Sequence, residues 1–262
     1  MNRPKIGVRL ESLGLPLRPA LEAARQMGVS GVQVDAVGDL DPRRLSQTGR
    51  REFRTLLKAH NLELSAVGCP MRRGLDVPEA QEERIDFLRQ ALTLAFDLGP
   101  RIVIAEVGRI VDDAKDPRHV LMTEALEALG RQGDRCGSVL AIETGLESGA
   151  ALRKFLGLFD TGGLGANLDP ANLLMHGYDP YDSARALREK VVHVHAKDAR
   201  ESGASRQAQE VPLGHGDIDW LTFAATLEEI DYRGYVTVER ESGDNRVADV
   251  AAGVQFLRRM VG

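Results

Sequence analysis

Val139-Leu-Ala-Ile-Glu143, Leu164-Gly-Ala-Asn-Leu-Asp169, Val191-Val-His-Val-His195 and Gly234-Tyr-Val-Thr-Val-Glu239 are four successive short apolar runs, each closing on a group able to bind a metal. Runs of this length and composition read as buried strands. Parallel strands carry their functional groups at their carboxyl ends, because the loops there open onto one common mouth. If the four are neighbours in a barrel, Glu143, Asp169, His195 and Glu239 converge. Three carboxylates and one imidazole form a mostly hard donor set, suited to one divalent cation.

The same alternation extends along the whole chain. Candidate strands are Lys5–Arg9, Gly31–Asp35, Glu63–Val67 and Arg101–Glu106, then Val139–Thr144, Gly165–Asp169, Val191–His195 and Tyr235–Glu239. Stretches with helical periodicity separate them. Leu21, Ala24 and Met27 share one face of the first, Phe53, Leu56 and Leu57 of the second, and Ile85, Leu88, Leu92 and Ala95 of the third. Gly28 and Gly99 stand where helix C-caps belong. Asp41-Pro42 and Asp116-Pro117 each read as an N-cap with proline at the first helical position. Eight strand–helix units predict the α/β class and a single (β/α)8 TIM barrel domain over residues 1–262. The rival, an open doubly wound sheet, is weakened by the lack of Gly-x-Gly-x-x-Gly after the first strand. Two long connections, Gly68 to Pro78 and Ala199 to Asp217, follow strands and so lie at the face where an active site belongs.

A length of 262 residues is close to the roughly 250 of such a barrel. Hydrophobic residues at 43% and charged residues at 28% give the balance of a soluble globule. A net charge of −5 leaves no electrostatic footprint for nucleic acid or an anionic membrane. No run approaches the roughly 18 apolar residues of a membrane span, and residues 1–10 lack the apolar stretch of a secretory signal. Cys69 and Cys136 are far apart and in no metal-like spacing. The expectation is a cytoplasmic protein with neither nucleic-acid nor membrane partners.

Side chains alternate across a strand, so His193, His195 and Lys197 share one face, with His193 a layer deeper than His195. Thr237, Glu239 and Glu241 share another face, and Glu239, ending its apolar run, is the better ligand. A single acid after a strand is often only a helix N-cap, and a single buried His is often a satisfied core residue. Four such groups on consecutive strands argue for a site. His193 is expected to brace that site through a hydrogen bond rather than to ligate.

Ala141-Ile-Glu143, Asn167-Leu-Asp169-Pro-Ala-Asn172, His193-Val-His195-Ala-Lys-Asp198, Pro212-Leu-Gly-His-Gly-Asp217 and Val236-Thr-Val-Glu239 together resemble the xylose isomerase-like barrels. In particular the chain resembles the sugar phosphate isomerase/epimerase group, with its tagatose and psicose epimerases, and the likeness is strongest from residue 139 onward. The resemblance implies that Glu143, Asp169, His195 and Glu239 hold one Mn²⁺, Mg²⁺, Co²⁺ or Zn²⁺. Mainly oxygen donors make Mn²⁺ the first choice. The resemblance also implies a small carbohydrate substrate and a homo-oligomer, dimer or tetramer. One position departs: ketose 3-epimerases typically carry a His three residues after the ligand Asp, and this chain has Asn172. Asn can hold a substrate hydroxyl but cannot exchange a proton near neutral pH.

An ion so held acts as a Lewis acid on an α-hydroxyketone and stabilises the enediolate left when a neighbouring C–H loses its proton. Glu143 and Glu239 are the expected catalytic pair, one carboxylate removing the proton and the other, held protonated, returning one. Return to the opposite face is epimerisation, and return to the adjacent carbon is isomerisation. Loss of a β-hydroxyl is dehydration, as in the inosose dehydratases of this superfamily. The leading reading is a metal-dependent isomerase or epimerase of a keto-sugar or polyol; the alternative is a hydro-lyase on a keto-polyol. Substrate contacts are expected from Asn172, Lys197, Arg200 and Glu106, then from Arg9 and Asp35. Gly214-His215-Gly216 either offers backbone N–H groups to an oxyanion or is a tight turn. His60 and His119 fit helix surfaces, Cys69 reads as structural, and Trp220 packs a helix onto the barrel. With only 6 His and a negative charge, the chain fits poorly with the three-zinc DNA-repair enzymes that share this barrel. A non-catalytic sugar-binding barrel is the remaining class, and it predicts no proton exchange with solvent.

Overall fold

A computed structural model of the chain describes residues 3–202 and 207–261. Eight parallel strands close into a barrel in the order β1 (Lys5–Arg9), β10 (Tyr235–Val238), β7 (Val191–Ala196), β6 (Leu164–Leu168), β5 (Val139–Glu143), β4 (Ile102–Ala105), β3 (Glu63–Gly68) and β2 (Gly31–Asp35). The expected (β/α)8 barrel is therefore what forms. Strands in such a barrel are covered on both faces, which is why they read as unbroken apolar runs; every residue of β2 and β6 is buried. The four strands that end in Glu143, Asp169, His195 and Glu239 are consecutive around the wall, β5 to β6 to β7 to β10.

Helices α1 (Leu17–Met27), α2 (Gln47–Ala59), α3 (Gln81–Leu98), α4 (Pro117–Cys136), α5 (Gly149–Leu156), α8 (Trp220–Glu229) and α9 (Arg246–Val261) wrap the barrel. Their apolar stripes face inward: Leu21, Ala24, Leu88, Leu92 and Ala95 are fully buried. Gly28 and Gly99 end α1 and α3 in the left-handed region, at φ 69° and 111°, which glycine adopts without strain. Asp116 caps α4, its side chain accepting from Arg118 N, with Pro117 next.

Three expectations need correction. Asp41 does not cap a helix. Its carboxylate accepts from Arg43 N and holds the Arg43 guanidinium in a turn, and α2 begins later, with Ser46 as its cap. The unit between β6 and β7 contains two short helices, α6 (Pro170–Met175) and α7 (Pro180–Leu187). Gly177, at φ 80°, turns the chain between them, and Asp179 with Pro180 restarts it. Finally, the connection after β7 is not all loop: β8 (Asp198–Ser202) and β9 (Gln207–Val211) pair as an antiparallel hairpin. No helix among the described residues is long and apolar enough to cross a membrane.

Candidate metal centre

Glu106, Asp169 and Glu239 each stand one residue past the last paired residue of a strand, and Glu143 is the last residue of β5. Their side chains are thus released at the barrel rim. Asp169 serves two purposes. Its Oδ1 accepts from Asn172 N at 2.9 Å and caps α6, while Oδ2 turns inward. Thr144 supports it from the neighbouring strand, Asp169 N donating to Thr144 Oγ1 at 2.9 Å.

His195 supplies the nitrogen. Its Nε2 donates to Gln33 Oε1 at 2.8 Å, and an amide oxygen can only accept, so the proton lies on Nε2. Nδ1 faces the acids; with no ion bound it carries a second proton toward them, and a cation there would take that proton's place. Nδ1 lies 3.3 Å from Glu143 Oε1, 3.1 Å from Glu239 Oε2 and 3.9 Å from Asp169 Oδ2. One donor atom from each of Glu143, Asp169, His195 and Glu239 falls within 4.8 Å of all the others.

Two of these oxygens, Asp169 Oδ2 and Glu239 Oε2, are buried and accept no hydrogen bond. Holding a desolvated carboxylate oxygen with no hydrogen bond is costly. A cation shared between them would remove that cost, so the donor set fits a hard divalent ion. Protein cations partly compensate the acids. Lys197 Nζ lies 3.1 Å from Asp169 Oδ2, 3.2 Å from Glu239 Oε2 and 3.4 Å from Glu241 Oε2. Arg9 donates to Glu239 Oε1 and, at 2.8 Å, to Asp35 Oδ2.

The charges settle accordingly. Burial, then Glu239 and Glu143, lifts the Asp169 carboxyl to about 7, against the pull of Lys197. Burial would raise Glu239 too, but His195, Lys197 and Arg9 hold it well below the usual carboxylate range. Burial presses His195 toward neutrality, yet Glu239 and Glu143 outweigh it and carry the imidazole up to about 10. The centre is thus an acid cluster whose negative charge is held in check by an imidazolium, a lysine and an arginine.

A cavity of about 160 Å³ opens beside the cluster, lined by Arg9, Gln33, Asp35, Glu106, Glu143 and Glu241 among others. Burial and then Glu143 raise the Glu106 carboxyl. Asn172 reaches the cluster, Nδ2 donating to Glu143 Oε1 at 3.1 Å. Lys197 reaches it too, and at 1% exposure it is no solvated loop charge. Arg200 is not brought there: it lies exposed on β8 and donates to the His215 carbonyl. Gly214 N and Gly216 N donate to Asp198 Oδ2 at 2.9 and 3.1 Å, so this turn spends its N–H groups internally. His193 binds Asn167 Oδ1 at 2.8 Å and Thr237 Oγ1 at 2.9 Å, one layer beneath the cluster.

Gln33, Asn167 and Thr144 were not picked out from sequence. A signal existed for two of them: Gln33 and Asn167 are amides inside apolar runs, two residues before Asp35 and Asp169 and on the same strand face.

The xylose isomerase domain protein from Planctomyces limnophilus superposes with a TM-score of 0.88 at 25% identity, covering 98% of this chain and 97% of that one. The D-allulose 3-epimerase from Methylomonas sp. gives 0.77 at 16% identity, with 99% of each chain covered, a likeness of fold alone. The inosose dehydratase of Lacticaseibacillus casei is 24% identical over 170 residues, which is 53% of this chain and 57% of the relative. Residues 21–260 match the family described as xylose isomerase-like TIM barrel, and the chain belongs to that family.

Proposed function

We propose that this protein is a divalent-metal-dependent isomerase or epimerase of a keto-sugar or related polyol. The observation that carries the reading is the pair of buried oxygens of Asp169 and Glu239 that accept no hydrogen bond, have the Lys197 ammonium beside them, and face His195 Nδ1 next to a small polar cavity. Glu143, Asp169, His195 and Glu239 would hold the ion, with Mn²⁺ the first choice for mainly oxygen donors. A bound ion supplies Lewis acidity toward a carbonyl oxygen in the cavity.

The remaining work falls to side chains. Glu143 lines the cavity and Glu239 comes from β10, across the cluster from β5. We assign proton removal and return to this pair. Asn172, through its contact with Glu143, and Glu106, at the cavity wall, are placed to meet substrate hydroxyls. Lys197 keeps Glu239 and Asp169 compensated while the site is loaded. We place the protein in the cytoplasm, acting on a small carbohydrate, as a dimer or tetramer.

A hydro-lyase is the second reading. It is favoured by Asn172, which cannot relay a proton where ketose 3-epimerases carry His, and by the partial likeness to inosose dehydratase. Mn²⁺-loaded protein incubated with ketoses in D₂O tests both. Deuterium uptake at the carbon next to the carbonyl, lost in Glu143→Gln and in Glu239→Gln, supports enediolate chemistry. Water loss from an inosose points to the hydro-lyase, and neither exchange with a ketose nor water loss from an inosose leaves a binding protein.

A further inference from the structure

Two cavities meet at Pro70 and Met71, and their charges are opposite. The one against the acid cluster, about 160 Å³, carries Asp35, Glu106, Glu143 and Glu241 against Arg9. The other, about 530 Å³, is lined from the loops following β2 and β3 and by α3, and carries Arg43, Arg72, Arg73 and Arg84 against Asp41 and Glu83. In a chain of net charge −5, this positive cleft is a local reversal.

Two of its arginines are already engaged. Arg43 grips Asp41 through Nε at 2.9 Å and Nη2 at 2.5 Å, and Arg84 donates to the carbonyls of Glu79, at 2.6 Å, and Val77. Arg84 therefore keeps its charge uncompensated by a carboxylate. Arg72 and Arg73 are exposed and have no hydrogen bond or ion pair with the described residues.

The segment just after them is tied down firmly. Leu75 N donates to Val107 O at 2.6 Å, and Gln81 Nε2 returns to Leu75 O at 2.6 Å. Asp76 is buried and accepts from Arg118 Nε at 3.0 Å. Gly74 packs so closely that a Cβ there would stand 2.5 Å from Gly108 Cα and 2.6 Å from Val107 O. The loop is thus anchored immediately beside two unpaired guanidinium groups, at the lip of the active mouth. A planar guanidinium fork matches phosphate and carboxylate oxygens, and a positive cleft draws anions past an acidic rim that would otherwise repel them.

We propose that the Arg72–Arg73 cleft is an anion subsite of the active mouth, and that the substrate is a keto-polyol bearing a phosphate or carboxylate on the end away from the reacting carbons. The substrate half of this statement rests on the function proposed above; the subsite itself does not.

The test is calorimetric titration of EDTA-treated protein with inorganic phosphate and with acetate, which avoids metal coordination. The Arg72→Ala/Arg73→Ala variant is compared with Arg18→Ala/Arg51→Ala, which removes equal charge from exposed helix surface. Saturable binding of either anion, weakened about tenfold in the first variant and unchanged in the second, is the expected result. Tighter phosphate points to a phosphoryl substituent and tighter acetate to a carboxylate. No saturable binding of either anion, or equal weakening in both variants, overturns the proposal. Metal binding and D₂O exchange would be untouched by that failure, and loss of exchange would leave anion binding in place, so the two readings fail separately.

Discussion

Gln33 Oε1 accepts from His195 Nε2 at 2.8 Å across the barrel, and this contact aims Nδ1 at three carboxylates. Second partners of this kind fix the tautomer of a ligating imidazole. Gln33→Leu keeps the volume of the side chain and removes the acceptor. The expected outcome is a folded protein whose Mn²⁺ affinity falls about 10–100-fold, measured by equilibrium dialysis. Unchanged affinity would show that Gln33 only fills space.

Lys197 is the buried cation set between Asp169 and Glu239, where the proposed ion would share its work. Burial opposes its charged form, but Asp169, Glu239 and Glu143 outweigh that and hold the ammonium well above its ordinary value. Replacing it with Met leaves buried carboxylates uncompensated, which costs about 3–5 kcal/mol. Urea denaturation in EDTA is expected to show this loss in Lys197→Met, and saturating Mn²⁺ to shrink it. Equal losses with and without the ion would mean that lysine and metal do not share the same work.

Glu147 lies outside the cluster and gives a pH signature. Burial lifts its carboxyl from 4.5 to about 7, while Ile110 N–H and Arg109 pull weakly the other way. The folded chain therefore holds this proton more tightly than the unfolded one. Its contribution to stability is complete below the unfolded value and is lost as pH rises through the folded one. The loss amounts to about 3 kcal/mol. Denaturation midpoints at roughly pH 5 and roughly pH 8 should differ in the wild type, and the difference should shrink in Glu147→Gln to the share of Asp169 and Glu11, whose carboxyls burial also lifts to about 7. An undiminished slope would take this role from Glu147.

Asp198 organises the hairpin that follows β7. Its carboxylate accepts from Ala199 N at 2.9 Å, Gly214 N at 2.9 Å, Gly216 N at 3.1 Å and Trp220 Nε1 at 3.1 Å. Asp198→Ala orphans several buried donors and is expected to cost about 2–4 kcal/mol. Because the chain has 1 Trp, buried against Phe223 and Phe256, its emission should shift to the red as the turn loosens. Wild-type emission and hydrogen exchange over 212–218 would rule out this role.

The barrel was legible because a buried parallel strand leaves an unbroken apolar run, and the four clustered groups were legible because each closes such a run. Their partners were not, since a contact such as Gln33 to His195 spans 162 positions and leaves no local trace. A polar residue inside an apolar run looks like a core residue until its partner is known. The β8–β9 hairpin escaped for a different reason. Asp198-Ala-Arg-Glu-Ser and Gln207-Ala-Gln-Glu-Val carry little apolar alternation and one β-branched residue. Their pairing depends on the turn that Asp198 gathers, which is tertiary information. Asp41-Pro42 misled because the carboxylate had a closer customer in Arg43 than a helix terminus.

Beneath the centre, Thr237, His193 and Asn167 form a hydrogen-bonded rail across β10, β7 and β6, and none of the three has any exposure. The chamber above it therefore has a sealed floor among the described residues, and its opening lies on the side of Glu106 and Glu143. On the function proposed above, an ion would have to enter before a sugar, and a seated sugar would stand between that ion and bulk water, so metal exchange is expected to slow when substrate is present.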